Sequence, residues 1–155
     1  MRLHFFLPLL LTMLSEQTKH RFHLQVDTKL DCLKDVLVWF ESKVSPSLPQ
    51  KEAWQCEVAL AEAFTNAVRH AHEDLPASTP IDLEVKLFPS FLEIKVCDCG
   101  KPFDLEAQLL AHEEDLNSVE KEGGRGLQFI KRLTDELQYF HLSDYRNCLV
   151  IRKKY

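Results

Sequence analysis

Apolar and polar residues alternate along this chain with two different periods, and each change of period marks an element. From His20 to Val26 the apolar residues Phe22, Leu24 and Val26 fall at every second position, the spacing of a strand with one buried face. The period then lengthens. Leu30, Leu33, Leu37, Phe40 and Val44 recur at three- and four-residue steps, which predicts a helix capped at Asp27 or Thr28 and closed by Ser45-Pro46. Beyond a proline-containing linker, Ser45 to Gln50, a second helix is expected from about Lys51 to His72, with Ala53, Cys56, Leu60, Phe64, Ala67 and Ala71 along its apolar face. Pro76 and Pro80 mark the loop that ends it.

Period two returns in Ile81, Leu83, Val85 and Leu87, turns at Pro89-Ser90, and continues in Leu92, Ile94 and Val96, a hairpin with one buried face. Strand patterning is lost from Cys99 to Gly124. That interval is acidic (Glu106, Glu113, Glu114, Asp115, Glu120, Glu122) and reads as a mobile surface segment with a short helix near Leu105 to His112. Arg125 to Leu133 predicts a helix opened by glycines, and Leu137 to Leu142 with Cys148 to Arg152 a closing hairpin around Ser143 to Asn147. Two long helices precede most of the strands. The class expected is α+β, a two-layer α/β sandwich with helices on one face of a largely antiparallel sheet.

With 155 residues, 45% of them hydrophobic, the chain has material for one core and one domain, read here as residues 20–155. Residues 1–19 form an N-terminal extension. Its apolar stretch, Leu3 to Leu14, is short of the ~20 residues that span a bilayer and lacks a small-residue cleavage site, so a signal peptide is not expected. A translation start at Met13 and a disordered extension account for it equally well. The net charge is -5 and Lys and Arg are dispersed, which argues against direct nucleic-acid binding. The five cysteines lie inside patterned segments, do not punctuate loops, and read as reduced thiols of a cytoplasmic protein.

Three polar features break the apolar pattern. Glu62, Asn66 and His70 are spaced by four on the second helix, so they form a stripe beside Ala59 and Ala63; this is either a solvated face or a carboxylate and an amide acting on one ligand. Asp98 shares the parity of Leu92, Ile94 and Val96. If the strand persists its carboxylate points to the buried side and needs a donor, with Gly100 allowing close approach of a ligand; otherwise it belongs to an ordinary Asp-Cys-Gly turn. Gly123-Gly124-Arg125-Gly126-Leu127 gathers three of the four glycines ahead of a helix. Its backbone N–H groups and the helix dipole favour phosphate oxygens, although a flexible hinge has the same composition. It is neither a Walker loop nor the dinucleotide fingerprint.

Taken in order, these segments resemble the three nucleotide motifs of GHKL ATPases: Glu62-Ala-Phe-Thr-Asn66-Ala-Val-Arg-His70 the N box, Asp98-Cys-Gly100-Lys-Pro102-Phe103-Asp104 the G1 box, and Gly123-Gly-Arg-Gly126-Leu127 the G2 box. The short chain and the form of the second motif are similar to the anti-sigma factor serine kinases, over roughly His20 to the C-terminus. The resemblance implies ATP and Mg²⁺ as cofactors, Asn66 as the metal ligand, Glu62 as general base and Asp98 as acceptor of the adenine amino group. It also implies that Arg69, His70, Gly100, Pro102, Phe103 and the loop Gly123, Gly124, Arg125, Gly126 and Leu127 line the nucleotide. The chemistry agrees, since Mg²⁺ takes oxygen ligands and draws several from phosphates and water. Cys99 departs from the polar residue frequent before the motif glycine. Cys97-x-Cys99 supplies only half of a structural zinc site.

The function expected is ATP-dependent phosphorylation of an anti-sigma antagonist of the STAS type, with sequestration of a sigma factor or other regulator and with homodimerisation as the family implies. The alternatives are a nucleotide-gated binding module without phosphoryl transfer, and an ATPase or histidine-kinase catalytic fragment.

Overall fold

The computed structural model describes residues 17–113 and 125–155. Within them the elements run β1 (His20–Asp27), α1 (Cys32–Lys43), α2 (Gln50–Asn66), β2 (Pro80–Leu87), β3 (Phe91–Asp98), α3 (Leu105–Glu113), α4 (Arg125–Leu133), β4 (Glu136–His141) and β5 (Asn147–Lys154). The strands make one antiparallel sheet in the order β1-β2-β3-β5-β4. The expected α+β sandwich is the observed one.

Alternation decides which face of the sheet is covered. Ile81, Leu83 and Val85 of β2, Leu92, Ile94 and Val96 of β3, and Leu149 and Ile151 of β5 pack against Val36 and Phe40 of α1, Leu60 and Phe64 of α2 and Ile130 of α4. Each such side chain contributes about 1.5–3 kcal/mol when fully buried. The intervening positions carry charge on the other face, where Arg21 and Lys86 pair with Glu84 and Arg152 pairs with Glu93 and Glu136. Burial alone would raise the Glu84 carboxyl, but its two basic neighbours outweigh that and hold it below the usual carboxylate range. Among the described residues no helix is long and apolar enough to cross a membrane.

Three features differ from the sequence expectation. Helix α1 starts at Cys32, not at a cap on Asp27 or Thr28. The Thr28 side chain is already committed: it is buried, donates to the Thr79 carbonyl at 2.6 Å and meets His72 Nδ1 at 2.6 Å. Leu30 is consequently exposed rather than part of the apolar stripe. Second, α2 does not continue as an α-helix to His72. It widens into a π-helical turn at Ala67–Ala71, closed by the bond from the His72 N–H to the Ala67 carbonyl. Third, two of the cysteines expected to be reduced form a disulfide, Cys97–Cys148. They are direct partners in the β3–β5 register, with Cα atoms 4.1 Å apart, and project from the charged face of the sheet. Cys32, Cys56 and Cys99 are free thiols, and burial pushes Cys56 up to about 12, keeping it neutral.

Candidate functional site

Asp98 is the last residue of β3, and the strand parity turns its carboxylate inward, where it is buried. Its Oδ1 accepts the Gly100 N–H at 2.8 Å and the Asn147 side-chain amide at 3.2 Å. The strand therefore persists to Asp98, and the same carboxylate organises the turn that follows it. Asn147 faces Asp98 directly in the β3–β5 register and is fully buried. Its Nδ2 also donates to the Gly100 carbonyl at 2.8 Å, and its Oδ1 accepts from His141 Nδ1 at 2.7 Å. The side chain thus joins both ends of the Asp98–Gly100 turn to the closing hairpin.

Gly100 is required to be glycine by the fold itself. A Cβ there would collide with the Ala71 carbonyl oxygen and lie 2.9 Å from the Ala71 Cα, so the close approach is to the π turn at the end of α2. The neighbouring contact is again to that turn: the Cys99 N–H donates to His72 Nε2 at 2.7 Å. The second motif is in this way seated on the far end of the first.

The third motif meets the near end. Gly126, in the first turn of α4, packs over Glu62 and Asn66, one turn apart on α2. A Cβ on Gly126 would come within 2.8 Å of Glu62 Oε2, 3.1 Å of Asn66 Nδ2 and 3.2 Å of Asn66 Oδ1. The helix start, with its N–H groups and positive dipole end, therefore adjoins a carboxylate and an amide oxygen. Helix α4 is tied in turn to α3 by Gln128 Nε2, which donates to the Leu109 carbonyl at 2.6 Å.

The other expected residues distribute unevenly. Arg69 and His70 lie on the π turn and are exposed. A π turn advances each residue less about the axis than an α turn does, so His70 leaves the line of Glu62 and Asn66. Pro102 is exposed, and the Phe103 ring packs at a tilt against Tyr139 of β4, centroids 4.3 Å apart. Asp104 caps α3 through the Ala107 N–H at 3.0 Å. Arg125 opens α4 and Leu127 packs against the core; Gly123 and Gly124 lie outside the described residues. Asn147, His72 and Tyr139 belong to the site but were not singled out from sequence. The register of β5 against β3 would have found the first. Burial, reinforced by the Asp98 carboxylate, pushes the Tyr139 phenol up to about 12, so it stays protonated.

A buried strand-end carboxylate, a glycine turn seated on the end of α2, and a second glycine over a Glu–Asn pair bring the three motifs together along one helix. The chain belongs to the histidine kinase-like ATPase domain family, whose model matches residues 28–153. Among similar proteins, the serine-protein kinase RsbW of Oceanobacillus iheyensis is 32% identical over 103 residues, 64% of this chain and 63% of the relative. RsbW of Staphylococcus epidermidis is 34% identical over 88 residues, 54% of this chain and 55% of the relative. The matches thus span less than two thirds of those curated relatives. A chain of the solved SiaB–SiaC complex from Pseudomonas aeruginosa shares the fold, with a TM-score of 0.56 at 12% identity, over 99% of this chain and all of that one.

Proposed function

We propose that this chain is an ATP-dependent protein serine/threonine kinase of the anti-sigma type. Its substrate is a serine or threonine of an antagonist protein of the STAS type, and its other partner is a sigma factor or comparable regulator. The observation that carries this reading is the contact of Gly126 with Glu62 and Asn66, which sets a helix start, a feature suited to phosphates, beside a carboxylate and an amide oxygen. The donor set suits Mg²⁺, because the Asn66 amide oxygen is the kind of single protein ligand that phosphates and waters complete. Bound with ATP, Mg²⁺ supplies neutralisation of the charge on the transferring phosphoryl group.

The protein's own residues do the rest. Asp98, oriented by Asn147 and the Gly100 N–H, accepts the exocyclic amine of adenine. The N–H groups at the start of α4 hold the phosphates, and Glu62 takes the proton of the attacking hydroxyl. Phosphoryl transfer has a loose transition state, so positioning accounts for most of the catalysis. Homodimerisation and a cytoplasmic site of action, where ATP is supplied, complete the proposal.

Incubation with Mg-ATP and a candidate antagonist is expected to yield an acid-stable phosphoprotein. Glu62→Gln is expected to slow the transfer by about 10²–10⁴ while leaving nucleotide bound. A Glu62→Gln protein that transfers phosphate at the unaltered rate, or an acid-labile product, rules the reading out. Partner switching that persists without any phosphoprotein marks a nucleotide-gated binder instead.

A further inference from the structure

We infer that His72 is a positioning residue for the adenine end of the site: as a neutral imidazole protonated on Nδ1, it holds the Asp98–Gly100 turn, and a second proton on the ring loosens the nucleotide. The inference rests on the ATP-binding reading and goes beyond it, because His72 belongs to none of the three motifs.

The assignment follows from counting protons. The Cys99 backbone N–H can only donate, so His72 Nε2, 2.7 Å away, must present its lone pair. A neutral ring with that lone pair carries its hydrogen on Nδ1, which then donates to Thr28 Oγ1 at 2.6 Å. The Thr28 hydroxyl passes its own hydrogen to the Thr79 carbonyl at 2.6 Å. Every proton of the buried chain is thereby placed, and His72 itself is only 2% exposed. A second proton would make Nε2 a donor facing another donor. Cys99 lies between Asp98 and Gly100, so losing its anchor disturbs the carboxylate that the Gly100 N–H and Asn147 orient.

The ionisable group at the end of β3 that acts on the ring is the Asp98 carboxylate, which favours its charging. Ahead of α1 it meets the uncharged Thr28 hydroxyl, which in turn donates to the Thr79 carbonyl just before β2. Burial outweighs the pull of Asp98 and holds the ring below the usual histidine value, consistent with a neutral resting form.

The test is the Mg-ADP dissociation constant by calorimetry from pH 8 to 5.5, with the His72 ring nitrogens followed by NMR. The Nδ1–H tautomer is expected at pH 8. Wild-type affinity is expected to hold steady and then fall, by up to about tenfold per pH unit, where the ring signals titrate. His72→Leu removes the acceptor and should weaken binding about tenfold at pH 8, the loss of roughly one buried hydrogen bond. His72→Gln, whose amide oxygen can accept from the Cys99 N–H at any pH, should recover most of that loss and lack the acid limb; its comparison with wild type cancels the titration of ADP. An Nε2–H tautomer, or an identical acid limb in His72→Gln, overturns the inference. If Asp98→Asn leaves the dissociation constant unchanged, the nucleotide reading itself fails, and the inference with it.

Discussion

At the scale of the residue, the two glycines that make close contacts should respond in opposite ways to the same small change. A methyl group on Gly100 collides with backbone atoms of Ala71, which cannot step aside. Gly100→Ala is therefore expected to cost about 1–3 kcal/mol of stability, read as a lowered urea midpoint. The atoms nearest a methyl on Gly126 are the tips of Glu62 and Asn66, and alanine suits a helix better than glycine does by about 1 kcal/mol. Gly126→Ala should unfold at nearly the wild-type midpoint but lose phosphoryl transfer by on the order of 10²-fold, since catalysis is sensitive to ångström displacements. Equal losses of stability in the two variants would contradict this account. Sequence parity did place the Asp98 carboxylate on the buried side. It could not reveal Asn147 or His72, because an asparagine in a turn and a histidine at a helix end look ordinary until partners 49 and 27 residues away are brought beside them.

At the scale of the element, strands and helices were legible wherever one face is buried, because burial imposes a period. Boundaries were not legible where a local signal competed with a distant contact. Thr28 has the chemistry of a helix cap, yet its hydroxyl is used by Thr79 and His72, so α1 begins later. The π turn at Ala67–Ala71 has no periodic signature of its own and is fixed by what sits on it, the Cys99 and Gly100 backbone. The disulfide was hidden for a related reason. Counting cysteines gives no register, whereas pairing β3 with β5 sets Cys97 opposite Cys148, one residue from Asp98 and Asn147. The bridge closes a sequence separation of 51 residues, for which a stabilisation of about 2–4 kcal/mol is typical. Urea unfolding with and without reductant should show a midpoint shift of that size, absent in Cys148→Ser. Coincident curves would mean that the bridge does not stabilise the fold.

For the whole molecule, the buried ionisable groups set the direction of acid sensitivity. His72 is held below its ordinary value in the fold, so the unfolded chain binds a proton first as pH falls. Its contribution is fully present above the unfolded value of about 6.5 and is lost as pH falls through the lower folded one. Glu84 is depressed as well, and its contribution goes in the same sense at lower pH, being present above the ordinary carboxylate range and lost below it. Thermal unfolding temperatures should accordingly decline in two stages from pH 7 to 3, and His72→Gln should remove the upper one. A wild-type curve flat down to pH 5 would show that His72 is not buried as neutral imidazole.

The row formed by Asp98, Asn147 and His141 also has a meaning in time. The two helical motif residues, Glu62 and Asn66, leave the ribosome well before β5, yet the Asp98 carboxylate acquires its side-chain donor only when Asn147, 49 residues later, joins the sheet. A growing chain that stops short of this strand carries the motif residues Glu62, Asn66 and Asp98 without the Asn147 contact to the turn. Nucleotide binding should therefore begin only with completion of the last hairpin, and the ligand would then favour the finished fold by mass action.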